Sequence, residues 1–116
     1  MDSELKVGDA LCILRLKGRF NTGSNADYLR TLDELQRIGA QAVVLDCSEL
    51  ECLDSTGLTF VVGLYTTFES FGGWFALANV NPRVREVLRI THLERILPVF
   101  SSVGEAVPAD SVLSSG

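Results

Sequence analysis

The sequence predicts an α/β fold, in which a mostly parallel, mixed sheet of about five strands is covered by about four helices. Length is the first observation, because 116 residues suffice for one domain with a sizeable core. Composition is the second, since 47% hydrophobic and 22% charged residues are ordinary for a compact chain. The third is order: after an initial hairpin, apolar runs of strand length alternate with segments of helical periodicity. We expect a single domain over residues 1–107 and a flexible C-terminal tail over residues 108–116.

The chain opens with a predicted β-hairpin. Strands over residues 5–7 and 11–17 flank a turn at Gly8-Asp9. Alternating apolar residues give the second strand one face toward the core, with basic residues on the other. Residues 18–24 are rich in glycine and polar side chains and predict a loop.

Two helices and a buried strand are predicted next. Apolar residues at helical spacing predict a helix over residues 25–38, which Gly39 ends. Residues 42–45 are continuously apolar, as in a central strand covered on both faces. The polar stretch 46–54 predicts a loop, and residues 55–71 predict a helix with a broad apolar stripe.

The remaining third continues the alternation. A buried strand is predicted over residues 74–78, directly after two glycines. Asn81-Pro82 supplies an N-cap followed by proline at the first position of a helix. Residues 97–100 predict a last short strand, and Ser102 with Glu105 has the spacing of a capping box for a final helical turn.

Charge and hydropathy argue against two classes of partner. The formal net charge is −5, so no general attraction to nucleic acid or to anionic lipid is expected. The most apolar segment, over residues 58–64, is too short to span a bilayer. The first residues lack the pattern of a signal peptide, so we expect a cytoplasmic location.

Catalysis, cofactors and metal binding are not expected. The single histidine, His92, falls at the end of the third predicted helix, where an imidazole commonly interacts with the helix dipole. Nothing in the sequence supplies a nucleophile, a base and an orienting group together. Cys12, Cys47 and Cys52 lack the spacing and the further ligands of a zinc site, and we expect reduced, packed thiols.

Ser55 is the candidate functional residue. It opens a long apolar helix, where backbone N–H groups and the helix dipole favour an added negative charge. Leu53 and Leu58 flank it, and apolar residues around an exposed hydroxyl are typical of a recognition surface. The residues alone leave two interpretations open: a phosphorylation switch, or plain capping of the helix by Asp54 or Ser55.

The segment from Leu45 to Leu58, which contains Asp54-Ser55-Thr56-Gly57, resembles the signature of STAS domains in the anti-sigma factor antagonist family. The resemblance extends to Gly18-Arg19-Phe20-Asn21, to Gly72-Gly73 with its following strand, and to Asn81-Pro82-Arg83-Val84. It covers roughly Leu5 to Ala106 in matching order.

This resemblance implies a non-enzymatic bacterial phosphoprotein that works by partner switching. Similar proteins bind an anti-sigma factor that is also a serine kinase, a histidine-kinase-like (GHKL-type) ATPase, and so release its target. Phosphorylation abolishes binding, and a PP2C-type phosphatase restores the serine. By motif position the phosphoacceptor here is Ser55. The partner-binding residues are Asn21, Leu53, Asp54, Ser55, Thr56, Gly57 and Leu58.

Two points qualify the implied function. Asn21 stands where the family often carries an acidic residue, so an amide replaces a charge beside the switch serine. The alternative function is a constitutive STAS interaction or ligand-sensing module that regulates a target other than a sigma factor, with Ser55 only a helix cap.

Overall fold

A computed structural model of the chain describes residues 2–7, 11–20 and 25–107. Five strands form one sheet in the sequential order β1 to β5: β1 (Asp2–Val7), β2 (Leu11–Phe20), β3 (Ala42–Leu53), β4 (Trp74–Ala78) and β5 (Val99–Phe100). The helices are α1 (Asn25–Arg37), α2 (Ser55–Ser70), α3 (Pro82–Ile90) and α4 (Val103–Ala106). A short 3₁₀ turn, Leu93–Arg95, precedes β5.

The strand directions confirm the predicted α/β class. β1 runs antiparallel to β2, and the pairs β2–β3, β3–β4 and β4–β5 are all parallel. The sheet is therefore four parallel strands with one antiparallel edge strand, close to the predicted mixed sheet. The predicted turn at Gly8-Asp9, residues 21–24 of the predicted loop, which include Asn21, and the predicted tail 108–116 lie outside the described residues.

One face of the sheet carries the main hydrophobic core. Each parallel strand lies directly beside the previous one, and each crossover contains one helix. Right-handed crossovers that always advance in the same direction place their helices on the same side. Buried residues of α1, α2 and α3 accordingly share one cluster with the strands, among them Leu35, Phe60, Leu64, Val84 and Leu88.

The other face is covered by α4. Its Ala106 is buried in a second, smaller cluster with small and branched residues of β2, β3 and β4. The indole Nε1 of Trp74 donates a hydrogen bond of 2.8 Å to the carbonyl oxygen of Ala106. The predicted cap is present, since the amide of Glu105 donates to the hydroxyl of Ser102 at 3.2 Å.

The helix ends follow the predicted glycines. Gly39 has a φ of +70° and Gly72 a φ of +75°, a left-handed conformation that glycine adopts without strain. The amide nitrogens of Ala40 and Gly73 then donate to the carbonyls of Leu35 and Phe68, five residues earlier in each case. These are the hydrogen bonds of Schellman caps, which end α1 and α2 and turn the chain into the next strand.

The predicted loop over residues 46–54 is wrong, because β3 continues through Leu53. Its pairing with β2 changes register twice: Arg15 and Lys17 face Asp46 and Glu49, while Gly18 and Arg19 face Leu50 and Cys52. Each shift inserts one extra residue into β3, which is a β-bulge. The main-core side of β3 is therefore occupied by residues at uneven spacing: Val43, Leu45, Cys47, Leu50 and Leu53.

The predicted loop over residues 18–24 is wrong in its first part. β2 runs to Phe20, which pairs with Leu53 of β3. The ends of β2 and β3 therefore lie side by side, immediately before the start of α2. In the part of the chain that the structure describes, every helix falls short of the length and apolar character needed to cross a membrane.

Candidate functional site

The start of α2 is capped by Asp54. This residue has an extended backbone, and its carboxylate Oδ1 accepts a hydrogen bond of 3.0 Å from the amide of Gly57. Its carbonyl accepts the first helical hydrogen bond, 2.9 Å long, from the amide of Leu58. Asp54 therefore satisfies donors of the first turn that a helix would otherwise leave without partners.

Ser55 occupies the first helical position, directly after the cap, and is exposed. Its carbonyl accepts a hydrogen bond of 2.9 Å from the hydroxyl of Thr59. Its own hydroxyl makes no hydrogen bond to any side chain or backbone group that the structure describes. The suggestion that Ser55 is only a helix cap is therefore wrong, because Asp54 provides the cap.

The apolar neighbours of Ser55 differ in exposure. Leu53 is only 6% exposed and lies in the main core, so it does not frame the hydroxyl as the sequence suggested. Leu58 is half-buried against the same core and retains some accessible apolar surface. Gly57 is buried in the first turn of α2. The structure thus brings an exposed carboxylate, an exposed hydroxyl and a half-buried leucine together at one helix end.

Two expected site residues have no described side chain. The backbone of Thr56 belongs to α2, but its side chain is outside the described part, as is the whole of Asn21. Asn21 follows Phe20, whose partner across the sheet is Leu53, two residues before Ser55. The pairing of Phe20 with Leu53 is compatible with Asn21 lying near Ser55, but that proximity stays a prediction.

A polar network lies where β4 ends beside β3. Asp46, only 5% exposed, is the one charged residue buried in the part of the chain whose burial is described. Its Oδ1 accepts hydrogen bonds of 3.1 Å from the amide of Ser48 and from Nδ2 of Asn79, and its Oδ2 accepts one of 3.3 Å from Nε of Arg15. Arg15 also lies 3.6 Å from the carboxylate of Glu49.

These contacts determine the ionisation of the buried groups. Burial of Asp46 disfavours its charged form, but the hydrogen bonds from Asn79, Ser48 and Arg15 outweigh burial and lower the pKa of the carboxyl. Burial and the adjacent negative charge of Asp46 raise the pKa of the Cys47 thiol to about 12. Burial also raises the pKa of Cys12. Cys12 and Cys47 are therefore neutral, packed thiols at physiological pH, as expected, whereas the side chain of Cys52 lies outside the described residues.

The cap of α3 is the predicted Asn81. Its Oδ1 accepts a hydrogen bond of 2.8 Å from the amide of Val84, with Pro82 at the first helical position. Its Nδ2 donates a second hydrogen bond, 2.6 Å long, to the carbonyl of Leu50 in β3. This second contact joins the start of α3 to the bulged part of β3.

Sequence reasoning missed the Asp46 network and the contact of Asn81 with Leu50. The predicted loop over residues 46–54 places Asp46 in solvent, where a carboxylate needs no partner. Arg15, a charged residue inside a predicted strand, was the one signal of the network in the sequence, because its side chain had to contact either solvent or a charged partner.

His92 adopts a left-handed backbone with a φ of 62° just after α3 and is exposed.

Comparison with known proteins assigns the chain. The STAS domain family model matches residues 2–106. An anti-sigma F factor antagonist from Paenibacillus polymyxa is 29% identical over 112 residues, which cover 96% of each protein. A crystal structure of a provisionally named anti-sigma factor antagonist from Thermotoga maritima has a TM-score of 0.84 and 30% identity, and the match covers 90% of each chain.

A more distant structure shares the fold. The Bacillus cell-fate determinant SpoIIAA, solved in its phosphorylated form, has a TM-score of 0.70 and 20% identity, and the match covers 90% of this chain and 96% of that one. The family match spans every described strand and helix, from the start of β1 to the end of α4. This chain therefore belongs to the STAS domain family, among its anti-sigma factor antagonists.

Proposed function

We propose that this protein is a partner-switching regulator, without catalytic activity of its own, whose Ser55 controls binding to an anti-sigma factor that is also a serine kinase. The observation that carries the proposal is the geometry at the start of α2. Ser55 is exposed, and its hydroxyl is free of the capping role because Asp54 accepts the hydrogen bond from Gly57. A kinase can reach and modify such a hydroxyl without dismantling the helix.

The chemistry of the switch follows from the added charge. A phosphate on Ser55 brings about −1.5 to −2 charges to a surface that already carries the exposed carboxylate of Asp54. The positive end of the helix dipole tolerates this charge in the free protein. A partner docked over the same surface would have to desolvate the phosphate, so binding is lost.

The proposed partners are those that the resemblance to anti-sigma factor antagonists implies. The unphosphorylated form binds a histidine-kinase-like serine kinase and thereby releases its target, and a PP2C-type phosphatase returns Ser55 to its free state. The proposed partner surface consists of Asp54, Ser55, Thr56, Gly57 and Leu58, and Asn21 is expected to contribute to it. Leu53 supports this surface from the core. The phosphorylated form of SpoIIAA supports the idea that this fold accommodates a phosphate.

The test is phosphorylation by the cognate kinase with ATP, followed by intact-mass analysis and a binding measurement. We expect Ser55→Ala to remain unmodified and to stay bound to the kinase, and Ser55→Asp to bind poorly. Ser70→Ala, which alters an exposed serine at the other end of α2, should be phosphorylated like the wild type.

Two outcomes would contradict the proposal. A phosphate that appears on Ser55→Ala at the wild-type rate would exclude Ser55 as the acceptor. Unchanged partner binding by Ser55→Asp would favour a constitutive interaction or ligand-sensing module, because aspartate mimics the charge of the phosphate without the transfer step.

A further inference from the structure

The segment of β3 that leads to Ser55 lacks a strand neighbour on its β4 side in the described sheet. Pairing between β3 and β4 ends at Asp46 and Ala78, whereas β3 continues to Leu53. Two asparagine side chains that follow β4 contact β3 here: Asn79 reaches the side-chain carboxylate of Asp46, the last paired residue, and Asn81 reaches a backbone carbonyl beyond it. Nδ2 of Asn79 donates to Asp46 at 3.1 Å, and Nδ2 of Asn81 donates to the carbonyl of Leu50 at 2.6 Å.

Asn81 uses both ends of its carboxamide. The oxygen accepts from the amide of Val84 at 2.8 Å and caps α3, while the nitrogen holds the Leu50 carbonyl. Leu50 is only 1% exposed, so its carbonyl belongs to a packed part of the chain, where an unmade hydrogen bond is costly. Asn81 thereby connects the start of α3 to β3, the strand that leads into α2.

This connection lies at an irregular place in β3. The second bulge lies between Leu50 and Cys52, and the cap Asp54 follows two residues later. Bulges redirect the side chains that follow them, so the direction in which the chain reaches α2 depends on how this segment is held. A displacement of about 1 Å in a reacting group can cost about 100-fold in rate.

We propose that Asn81 is a positioning residue for Ser55: its amide nitrogen fixes the bulged segment of β3 and so sets where α2 begins and where the hydroxyl is presented. The effect on phosphorylation rests on the proposed function. The effect on the geometry of the free protein does not.

Two variants separate this positioning role from capping. Asn81→Asp and Asn81→Ser both retain a side-chain oxygen that can cap α3, and both lose the carboxamide nitrogen that reaches Leu50. Ser102→Asp is the matched control, because it places the same new charge on the N-cap of α4 across the sheet. If Asn81→Asp fails to fold, Asn81→Ser, which adds no charge, decides the outcome.

The first measurement is amide hydrogen exchange in the free, full-length protein. The amides of Gly57 and Leu58 report the start of α2, because both are hydrogen-bonded to Asp54. We expect their exchange to accelerate about tenfold in both Asn81 variants, while amides in the last turn of α2 keep wild-type rates. Ser102→Asp should leave the start of α2 unchanged. Equal acceleration along the whole helix, or no acceleration, would overturn the proposal.

The second measurement is steady-state phosphorylation by the cognate kinase. We expect the Asn81 variants to show a kcat about tenfold below the wild-type value, with a smaller change in KM, because the hydroxyl is displaced rather than the docking surface removed. Wild-type kcat in both variants would overturn the positioning role. If the wild-type protein is not phosphorylated on Ser55, the proposed function fails, and hydrogen exchange alone decides whether Asn81 positions the start of α2.

Discussion

At the start of α2, two adjacent polar residues have separate tasks. Asp54 accepts a hydrogen bond from the Gly57 amide and ends the irregular part of the chain, while Ser55 projects a hydroxyl from the first helical position. The sequence offered both residues as possible caps, and propensity ranks aspartate and serine almost equally in that position. The backbone conformation decides between them: Asp54 is extended, as a cap requires, and Ser55 is already helical. The conformation of Asp54 depends in turn on the direction in which β3 ends.

This division of tasks predicts different stability costs for the two side chains. Asp54→Ala removes the cap, and we expect the free energy of unfolding to fall by about 1 kcal/mol. Ser55→Ala removes a hydroxyl without a described partner and should change it by less than about 0.5 kcal/mol. Urea denaturation of both variants measures the difference. An equal loss in the two variants would mean that the Ser55 hydroxyl also stabilises the helix start.

Among the elements, β3 differs most from its prediction, and β2 also extends beyond its predicted end. Five strands and four helices were predicted in the observed order, because alternating apolar runs, Gly39, Gly72 and the Asn81-Pro82 cap carry strong local signals. The sequence of the second half of β3 predicts a loop, whereas the strand continues to Leu53. Apolar residues there recur every third position, at Cys47, Leu50 and Leu53, which does not match the twofold period of a strand.

Long-range pairing accounts for what could not be predicted in β3 and at the site. Each of the two bulges adds one residue to β3, so that the next apolar side chain again faces the core. The strand therefore continues although its sequence is typical of a loop. Because residues 46–54 were predicted to form a loop, neither the burial of Leu53 nor the partners of Asp46 could be predicted. The candidate serine itself was identifiable, because its signal lies in a short local motif at a helix start.

The Asp46 network joins β2 and β3 to the residue that follows β4, and it makes the stability of the fold depend on pH. Since the pKa of Asp46 in the folded protein lies below its unfolded value, the network stabilises fully above about pH 4. This stabilisation is lost as the pH falls through the lower, folded-state pKa. We expect Asp46→Asn to lower the free energy of unfolding by about 2 kcal/mol at pH 7.

The pH dependence of this difference tests the cause. The gap between wild type and Asp46→Asn should narrow as the pH falls toward acid, because the wild-type carboxyl then becomes protonated as well. Urea denaturation of both proteins at several pH values measures this difference in the free energy of unfolding. Asp33→Asn, which neutralises an exposed carboxylate on α1, serves as the control and should keep the acid response of the wild type. A gap that does not change with pH would show that the charge of Asp46 does not stabilise the fold.

Across the whole molecule, the two faces of the sheet are covered differently. Three helices cover the main core, and α2 presents Ser55 from that side, whereas α4 covers the smaller cluster. Phosphorylation at an exposed first-turn residue therefore alters one helix end and leaves both clusters packed. The proposed switch works by changing the charge of a surface, with no need to rearrange the fold.

This localisation predicts similar thermal stability for the two forms. A phosphate near a helix N-terminus contributes about 0.3–1 kcal/mol, partly offset here by repulsion from Asp54. We expect the Tm values of the phosphorylated and unphosphorylated proteins to differ by less than about 5 °C. Calorimetry of the two forms measures this difference. A fall of about 10 °C or more on phosphorylation would indicate that the switch disrupts the fold.

The hydrogen bond between Trp74 and Ala106 lets intrinsic tryptophan fluorescence report on the packing of α4. Trp74 is the single tryptophan of the sequence, and its indole holds the last residue of α4. It lies at the amino end of β4, where it pairs with the first residue of β3, while Ser55 follows the carboxyl end of β3. The fluorescence of Trp74 in the free protein therefore monitors the attachment of α4, at the amino end of the parallel strands and away from Ser55.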